Sequence, residues 1–412
     1  MKKRTLLSFL PLFLIFFAAC EKEEPAGEYY EVAVPITQSI SEFRASVEIQ
    51  EPRVITEAGK IYSYKDYVFV NDKYQGVHVI DNRDPYAPEK IHYINIPRNL
   101  DIAVKDDMLY ADSGMDLVVF DISNIENIKQ VERAKDVFSN VNFNIPEEAA
   151  FVDTESFDPE QEVILGYSME RRRIEMAAQP HWTVDNAALE SSGGNSTGTG
   201  GSLARFKIVS DYLYVVDQQN ISVFDVAALS QPQKVFEEYV GWDIETIFNQ
   251  DDHLFLGSTT GMYIYSIENP EAPSFVSMIR HVLGCDPVVV KDDVAYVTVR
   301  GGNLCGQQES ELLVIDVADK SNPQTLMTYE MQNPYGLGVR EDQLFVCDGD
   351  AGLKIYNTTN TPDLTLTDHF EDVNTYDIIP LDEVLLMIGD NILHQYNYKN
   401  NEINLISSFN LN

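Results

Sequence analysis

Four aspartates, Asp101, Asp243, Asp286 and Asp377, stand at or near the start of alternating apolar runs. If those runs share one end, the carboxylates converge, and converging oxygens suit a hard cation such as Ca2+. An aspartate at a strand start also has a plainer use, accepting hydrogen bonds from backbone N–H groups. Arg205 occupies, in its own run, the position that Asp101 occupies in another. A basic residue among acids reads either as a structural ion-pair partner or as a clamp on a substrate. Cys285 precedes one run, Cys305 lies in the long loop after the next, and Cys347 ends a run further on. A hairpin would bring Cys285 and Cys305 to the same end, so a disulfide between them is expected in an oxidising compartment, leaving Cys347 as the odd thiol. A three-thiolate metal site would lack a fourth ligand. Asp348-Gly349-Asp350 has the flavour of a calcium loop, but no acidic ligand follows at the required spacing, and it reads as a turn. The seven histidines are scattered, with His181 beside Trp182 and His281 alone, and no pair has metal-ligand spacing. Nucleophile elbow, phosphate loop and His-Glu-x-x-His helix are all missing from the sequence. A site assembled from scattered loops leaves no linear motif, so this weakens a catalytic reading without removing it.

The elements that must position these residues repeat. Asp66-Tyr-Val-Phe-Val, Asp107-Met-Leu-Tyr-Ala, Asp211-Tyr-Leu-Tyr-Val, Asp252-His-Leu-Phe-Leu, Asp293-Val-Ala-Tyr-Val, Asp342-Gln-Leu-Phe-Val and the weaker Asp382-Glu-Val-Leu-Leu are separated by steps of 41, 104, 41, 41, 49 and 40 residues. A period near 41 built from short strands and Gly, Asn and Pro turns signals radial repetition. The predicted fold is therefore all-β: a seven-bladed β-propeller of four-stranded blades over residues 59–412, each blade packing on its neighbours. The long step places an insertion at about 139–202, between blades 2 and 3, with a strand expected near Val163–Tyr167 and a flexible linker at Ser191–Ser202. In the second blade the strands are expected at Leu100–Lys105, Met108–Asp112, Leu117–Ile122 and near Lys129–Val137; in the last, at Tyr376–Pro380, Val384–Ile388, Leu393–Tyr398 and Ile403–Phe409. Strand starts, the loops between second and third strands, and the insertion then share one face, here called the top. Because the first and last blades each own four strands, the ring is expected to close without an exchanged strand. The alternation Phe43, Ala45, Val47, Ile49 predicts an N-terminal strand within 42–58, lying over the junction as a clasp.

Ahead of the repeats the chain changes character. Lys2, Lys3 and Arg4 precede an uncharged run from Leu6 to Ala19, the pattern of a signal peptide over residues 1–19. Phe17-Ala18-Ala19-Cys20 resembles a bacterial lipoprotein processing site, which implies lipidation of Cys20, although Phe17 stands where that box usually has Leu. Glu21-Lys22-Glu23-Glu24 resembles the acidic surface-export tag of Bacteroidetes lipoproteins, and residues 20–41 read as a tether. The expected address is an outer-membrane lipoprotein exposed on the cell surface, the periplasmic side being the alternative, with the lipid as the chain's only membrane contact. The chain carries 29 basic and 66 acidic residues, a formal charge of −37. Loss of residues 1–19 removes three basic residues and leaves −40. Such a surface excludes nucleic acid as a partner and favours cations.

The third strands are the loudest element: Gly76-Val-His-Val-Ile-Asp81, Asp116-Leu-Val-Val-Phe-Asp121, Ile221-Ser-Val-Phe-Asp225, Met262-Tyr-Ile-Tyr-Ser266, Glu311-Leu-Leu-Val-Ile-Asp316 and Gly352-Leu-Lys-Ile-Tyr-Asn357. With Gly241-Trp-Asp-Ile-Glu-Thr-Ile247, Cys285-Asp-Pro-Val-Val-Val290 and Pro334-Tyr-Gly-Leu-Gly338, they resemble the LVIVD-repeat propellers, most closely Bacteroidetes lipoproteins of that family. The resemblance runs from about Ser41 to the C-terminus; it implies a propeller at a surface or periplasmic address and no particular activity. The function expected is a binding or scaffolding module, a monomer, that meets a protein or glycan through its top face. The alternative is an extracellular hydrolase or lyase acting on glycan or peptide at the channel mouth through the aspartates and Arg205, with Ca2+ as the one cofactor in view.

Overall fold

In six of the seven repeats, two turns decide where four strands lie. The hairpin between first and second strands turns on a residue with positive φ: Lys65 (51°), Asp106 (47°), Ser210 (55°), Asp251 (50°), Asp292 (53°) and Glu341 (50°). The next residue is the recurring aspartate of the sequence ladder. Its carbonyl accepts the N–H of Asn82, Ile122, Val226, Ile267, Val317 or Thr358, at 2.8–2.9 Å, which pins the first hairpin to the turn between third and fourth strands. The residue that closes the third strand is a side-chain acceptor for the N–H two positions on: Asp81 from Arg83 (3.0 Å), Asp121 from Ser123 (2.9 Å), Asp225 from Ala227 (2.8 Å), Ser266 from Glu268 (3.2 Å), Asp316 from Ala318 (2.9 Å) and Asn357 from Thr359 (3.0 Å). These are Asx and Ser turns, and they explain why the third-strand motif ends in a short polar residue.

The computed structural model describes residues 28–138, 145–146, 148–155, 157–174, 199–280, 287–301, 309–399 and 402–412. Among them, helix is confined to Ile40–Ala45 and a single 3-10 turn at Ile125–Asn127. Seven stretches each form an antiparallel four-stranded meander. The first meander has Ala58–Tyr64, Tyr67–Asp72, Gly76–Asp81 and Glu89–Asn95; the second starts at Ile102–Lys105 and the third at Phe206–Val209. The fourth to seventh start at Ile244–Gln250, Val288–Lys291, Leu337–Arg340 and Asp377–Pro380. Their starting strands touch in succession, and that of the seventh touches that of the first, so these strands enclose a common axis. In the seventh meander the strands Asp377–Pro380, Val384–Gly389, Ile392–Lys399 and Glu402–Asn410 fall within one residue of their expected ends.

The core is spread between sheets. Inner strands bury both faces, as in the run Val68, Phe69 and Val70, whereas the fourth strands are mostly exposed or half-buried, as in Gln233–Tyr239. One apolar cluster joins Val70 of the first sheet to Ile388 of the seventh, and another joins Phe345 of the sixth to Met387 of the seventh. Lysines stitch neighbouring sheets at the hairpin ends: Lys65 to Asp107 at 2.5 Å, Lys291 to Asp342 at 2.9 Å, and Lys105 to Asp211. The recurring aspartates that announce the repeat thus build turns and sheet-to-sheet ties.

Among the described residues, no strand is exchanged at the junction between first and seventh sheets. It is held by Ile55 N–H to Leu411 carbonyl (3.0 Å), Lys90 to the same carbonyl (2.7 Å) and Ala58 N–H to Asn391 (2.9 Å). Three expectations, two N-terminal and one at the end of the insertion, are corrected. Glu28–Ser39 is a strand, not tether; it runs antiparallel to Glu162–Ile174 and parallel to Phe151–Val152, a separate three-stranded sheet shared by the N-terminus and the insertion. The clasp strand is replaced by the helix Ile40–Ala45 and the short strand Glu48–Gln50, which pairs on the outer edge of the first sheet. The physical reason is an N-cap: Ser39 Oγ accepts the N–H of Glu42 (3.3 Å) and donates to its carboxylate (2.6 Å), starting a helix that buries Phe43 against Gly114. Thirdly, the linker ends in order: Thr199–Gly200 is a strand paired with Ser63 and Tyr62 of the first sheet.

Candidate functional site

Residues 199–206 decide what lies at the axis. After pairing with the first sheet, Gly201 passes against Asp377 of the seventh, so closely that an added Cβ would sit 1.8 Å from its Oδ1; only glycine fits. Ser202 Oγ accepts the N–H of Leu337 in the sixth sheet (2.7 Å), and Ala204 carbonyl accepts the N–H of Ile247 in the fourth (3.1 Å). Ser202, Leu203 and Ala204 are all buried. A segment bonded to sheets on several sides of the axis fills the space between them.

Of the predicted aspartates that are described, Asp101 and Asp377 are drawn into sheet boundaries. Asp101 is buried and its Oδ2 accepts the N–H groups of Arg205 (2.6 Å) and Phe206 (2.9 Å), tying the second sheet to the third; Lys60 of the first sheet lies 3.2 Å from the same oxygen. Asp377, also buried, accepts the N–H of Ile61 (3.2 Å), tying the seventh sheet to the first. Both work as acceptors for backbone at sheet boundaries. Asp243 is half-buried with φ of 47°, at the entry to the fourth sheet. Arg205 is 7% exposed, and its guanidinium donates to the Ile244 carbonyl (3.4 Å), a structural contact between the third and fourth sheets. Among the described residues, no three of His, Cys, Asp and Glu are grouped so that they could hold a metal ion. Asp286, Cys20, Cys285, Cys305, His181, Trp182 and His281 lie outside the described residues. Cys347 is a free thiol, fully buried, and burial pushes its pKa up.

A second set of acids closes the second strands; of these the sequence drew attention to Asp348, as part of a turn, but not to Asp72 or Asp112 as strand-end acceptors. Asp72 accepts the N–H groups of Thr56 (3.1 Å) and Glu57 (3.0 Å); Asp112 those of Leu100 (2.9 Å) and Asp101 (2.8 Å); Asp348 those of Gln332 (3.0 Å) and Asn333 (2.8 Å). Their signal was an Asp five or six residues after the recurring Asp. Burial pushes the Asp112 carboxyl up to about 6. At Asp116, burial is outweighed by hydrogen bonds from Arg44, the Asp136 N–H and Arg133, which hold its pKa down. Lys207, fully buried on the starting strand of the third sheet, is pushed down to about 7 by desolvation. Asp348-Gly349-Asp350 is the turn expected, with Gly349 at φ 57°.

Beside the filled axis, the top face opens into a cleft of about 580 Å³ across the sixth, seventh and first sheets. That volume lies in the usual range for small-molecule sites. Tyr335 and Tyr376 form one wall, ring centroids 5.1 Å apart and inclined at 54°. Each ring carries a cation: the Arg300 guanidinium 4.3 Å from the Tyr335 centroid and Lys73 Nζ 4.8 Å from that of Tyr376. Lys73 also bonds Glu57 at 2.6 Å. Opposite, Asn374 Nδ2 donates to Asp350 (2.5 Å), and Asn333 Nδ2 reaches the Tyr335 hydroxyl (3.4 Å). Gly349 and Gly389 line the cleft where a Cβ would meet Asn333 at 3.0 Å and Asn374 at 2.0 Å. All of these come from strand starts and second-to-third-strand loops, the face expected to carry ligand contacts. Individually they looked like turn residues, and only the ring brings them together.

The fold is similar to that of the periplasmic gluconolactonase PpgL of Pseudomonas aeruginosa, at 10% identity over 86% of this chain and 96% of that one, with a TM-score of 0.54. It is similar to a protein from Lactobacillus plantarum at 11% identity over 76% of this chain and 84% of that one, TM-score 0.51. BamB from Moraxella catarrhalis matches at 10% identity over 92% and 91% of the two chains, TM-score 0.46. At these identities the likeness is one of fold, all-β and propeller-like. No curated protein matches the chain. Residues 99–133, 200–237 and 285–330, covering the second, third and fifth sheets, match the LVIVD repeat.

Proposed function

We propose that this chain is a seven-bladed β-propeller that acts as a non-catalytic binding or scaffolding module, contacting its ligand through the top face. In this reading it is an LVIVD-repeat lipoprotein of the Bacteroidetes type, a monomer held at the cell surface by a lipid on Cys20. The observation that carries the binding role is the segment 199–204 seated across the axis. A site at the channel mouth needs open volume bordered by polar groups. Here that volume holds backbone bonded to surrounding sheets, and Asp101, Asp377 and Arg205 are committed to structural contacts. The open polar surface lies to one side, in the cleft.

The test is to incubate the protein with a panel of neutral oligosaccharides and a panel of short peptides, then measure retention on immobilised protein and the masses of what is recovered. The account predicts retention of at least one probe with its mass unchanged. Cleavage or elimination products would overturn it and favour the glycan- or peptide-directed enzyme.

A further inference from the structure

We infer that the cleft between Tyr335 and Asn391 is a site for a neutral saccharide; this rests on the binding reading above and names its ligand class. The argument is one of matched chemistry. Beyond the single bonds they already make, the amides of Asn333 and Asn374 keep an acceptor oxygen and a second N–H; Asp350 and Asp390 accept, and Lys73, although paired with Glu57, keeps further N–H groups. A hydroxyl is itself both donor and acceptor, so a polyol can satisfy such a mixed lining, while the fixed tyrosine wall suits the C–H faces of a sugar ring. Other ligand classes fit worse. A phosphate or sulfate would meet the carboxylates of Glu57, Asp350 and Asp390, with the ammonium of Lys73 already bonded to Glu57. An apolar ligand would find Ala58 and Ile388 as the aliphatic side chains of the lining. A peptide strand would seek an open sheet edge, whereas Gly349, which lines the cleft, is already bridged to Thr375.

The walls are preorganised. The Tyr335–Tyr376 contact, the cations on each ring and the Asn374–Asp350 bond fix the side chains before a ligand arrives, which lowers the entropy lost on binding.

The experiment is titration calorimetry of the full-length protein with neutral oligosaccharides and, separately, with short peptides, on wild type, Tyr335→Ala, Asp350→Ala and Trp242→Ala. Trp242 is exposed on the same face outside the cleft and serves as the control. The expected result is saccharide binding weakened about tenfold by Tyr335→Ala and by Asp350→Ala, and unchanged by Trp242→Ala. Asp350 is exposed, so its variant keeps the test decisive if Tyr335→Ala does not fold. Peptide binding with the same variant dependence and no saccharide binding would overturn the ligand class and leave the binding module standing. Binding of neither probe, or binding insensitive to both cleft variants, would overturn the site and the binding role together.

Discussion

Asp101→Ala separates the two uses of the aspartates most sharply. The wild-type carboxylate takes two backbone N–H groups of the third sheet and faces Lys60 of the first, with Asp101 and Lys60 3% and 4% exposed. Alanine would leave two buried donors unsatisfied and a buried ammonium without its partner. Hydrogen bonds to a charged group contribute about 1.5–3 kcal/mol each, and removing one partner of a buried ion pair costs about 3–5 kcal/mol. These terms describe the same atoms and do not add, so the expected loss is about 3–5 kcal/mol. Asp101→Asn keeps one acceptor oxygen and loses the charge, and should fall between. The assay is denaturant unfolding followed by fluorescence, with and without Ca2+. A loss of that size, equal in both conditions, is predicted. A loss below about 1 kcal/mol, or one seen only with Ca2+ present, would refute the sheet-tie argument and restore the cation reading.

Lys207→Met should raise stability at pH 7 by an amount on the order of 4 kcal/mol, because the folded pKa of about 7 lies below the ordinary value of 10.5. In that window the unfolded chain binds the extra proton, so wild-type stability rises with pH and the variant's advantage should fade toward pH 10; an advantage independent of pH would contradict the assignment. A disulfide between Cys285 and Cys305 predicts one free thiol, Cys347, in the denatured, non-reduced unlipidated protein without Cys20; three would disprove it. In the folded protein that thiol should resist labelling reagents, since it is fully buried with a raised pKa. Cys20→Ala should release the protein from membranes, and continued membrane retention would remove the lipid anchor from the account.

The meanders were legible because their information is local. Each strand carries its apolar run within a few residues, and most turns an Asp, Asn or Gly, so the strands of the last sheet fall within one residue of expectation. The N-terminal segment was not legible for the opposite reason: Glu28–Ser39 pairs with Glu162–Ile174, a partner more than 120 residues away, and a pairing at that separation leaves no turn signal beside the strand. Ser39-Ile40-Ser41-Glu42 did carry a helix start, masked by the coincidental alternation from Phe43 to Ile49. At the site, the sequence allowed two uses for each strand-start aspartate, and Asp101 and Asp377 take the plainer one, accepting backbone N–H groups. A carboxylate at a strand start looks the same in sequence whether it meets solvent, a cation or the next sheet's N–H groups. The cleft residues were invisible because Tyr335, Asp350, Asn374 and Lys73 come from three sheets and share no spacing.

The most direct test of the central claim is hydrogen exchange of the full-length protein with and without a retained neutral oligosaccharide. The account predicts new protection in 57–58, 73–76, 333–336, 349–352 and 374–376, the loops around the cleft, with exchange around Asp101, Asp243 and Arg205 unchanged. Protection centred on those axial residues, with the cleft loops unaffected, would contradict it.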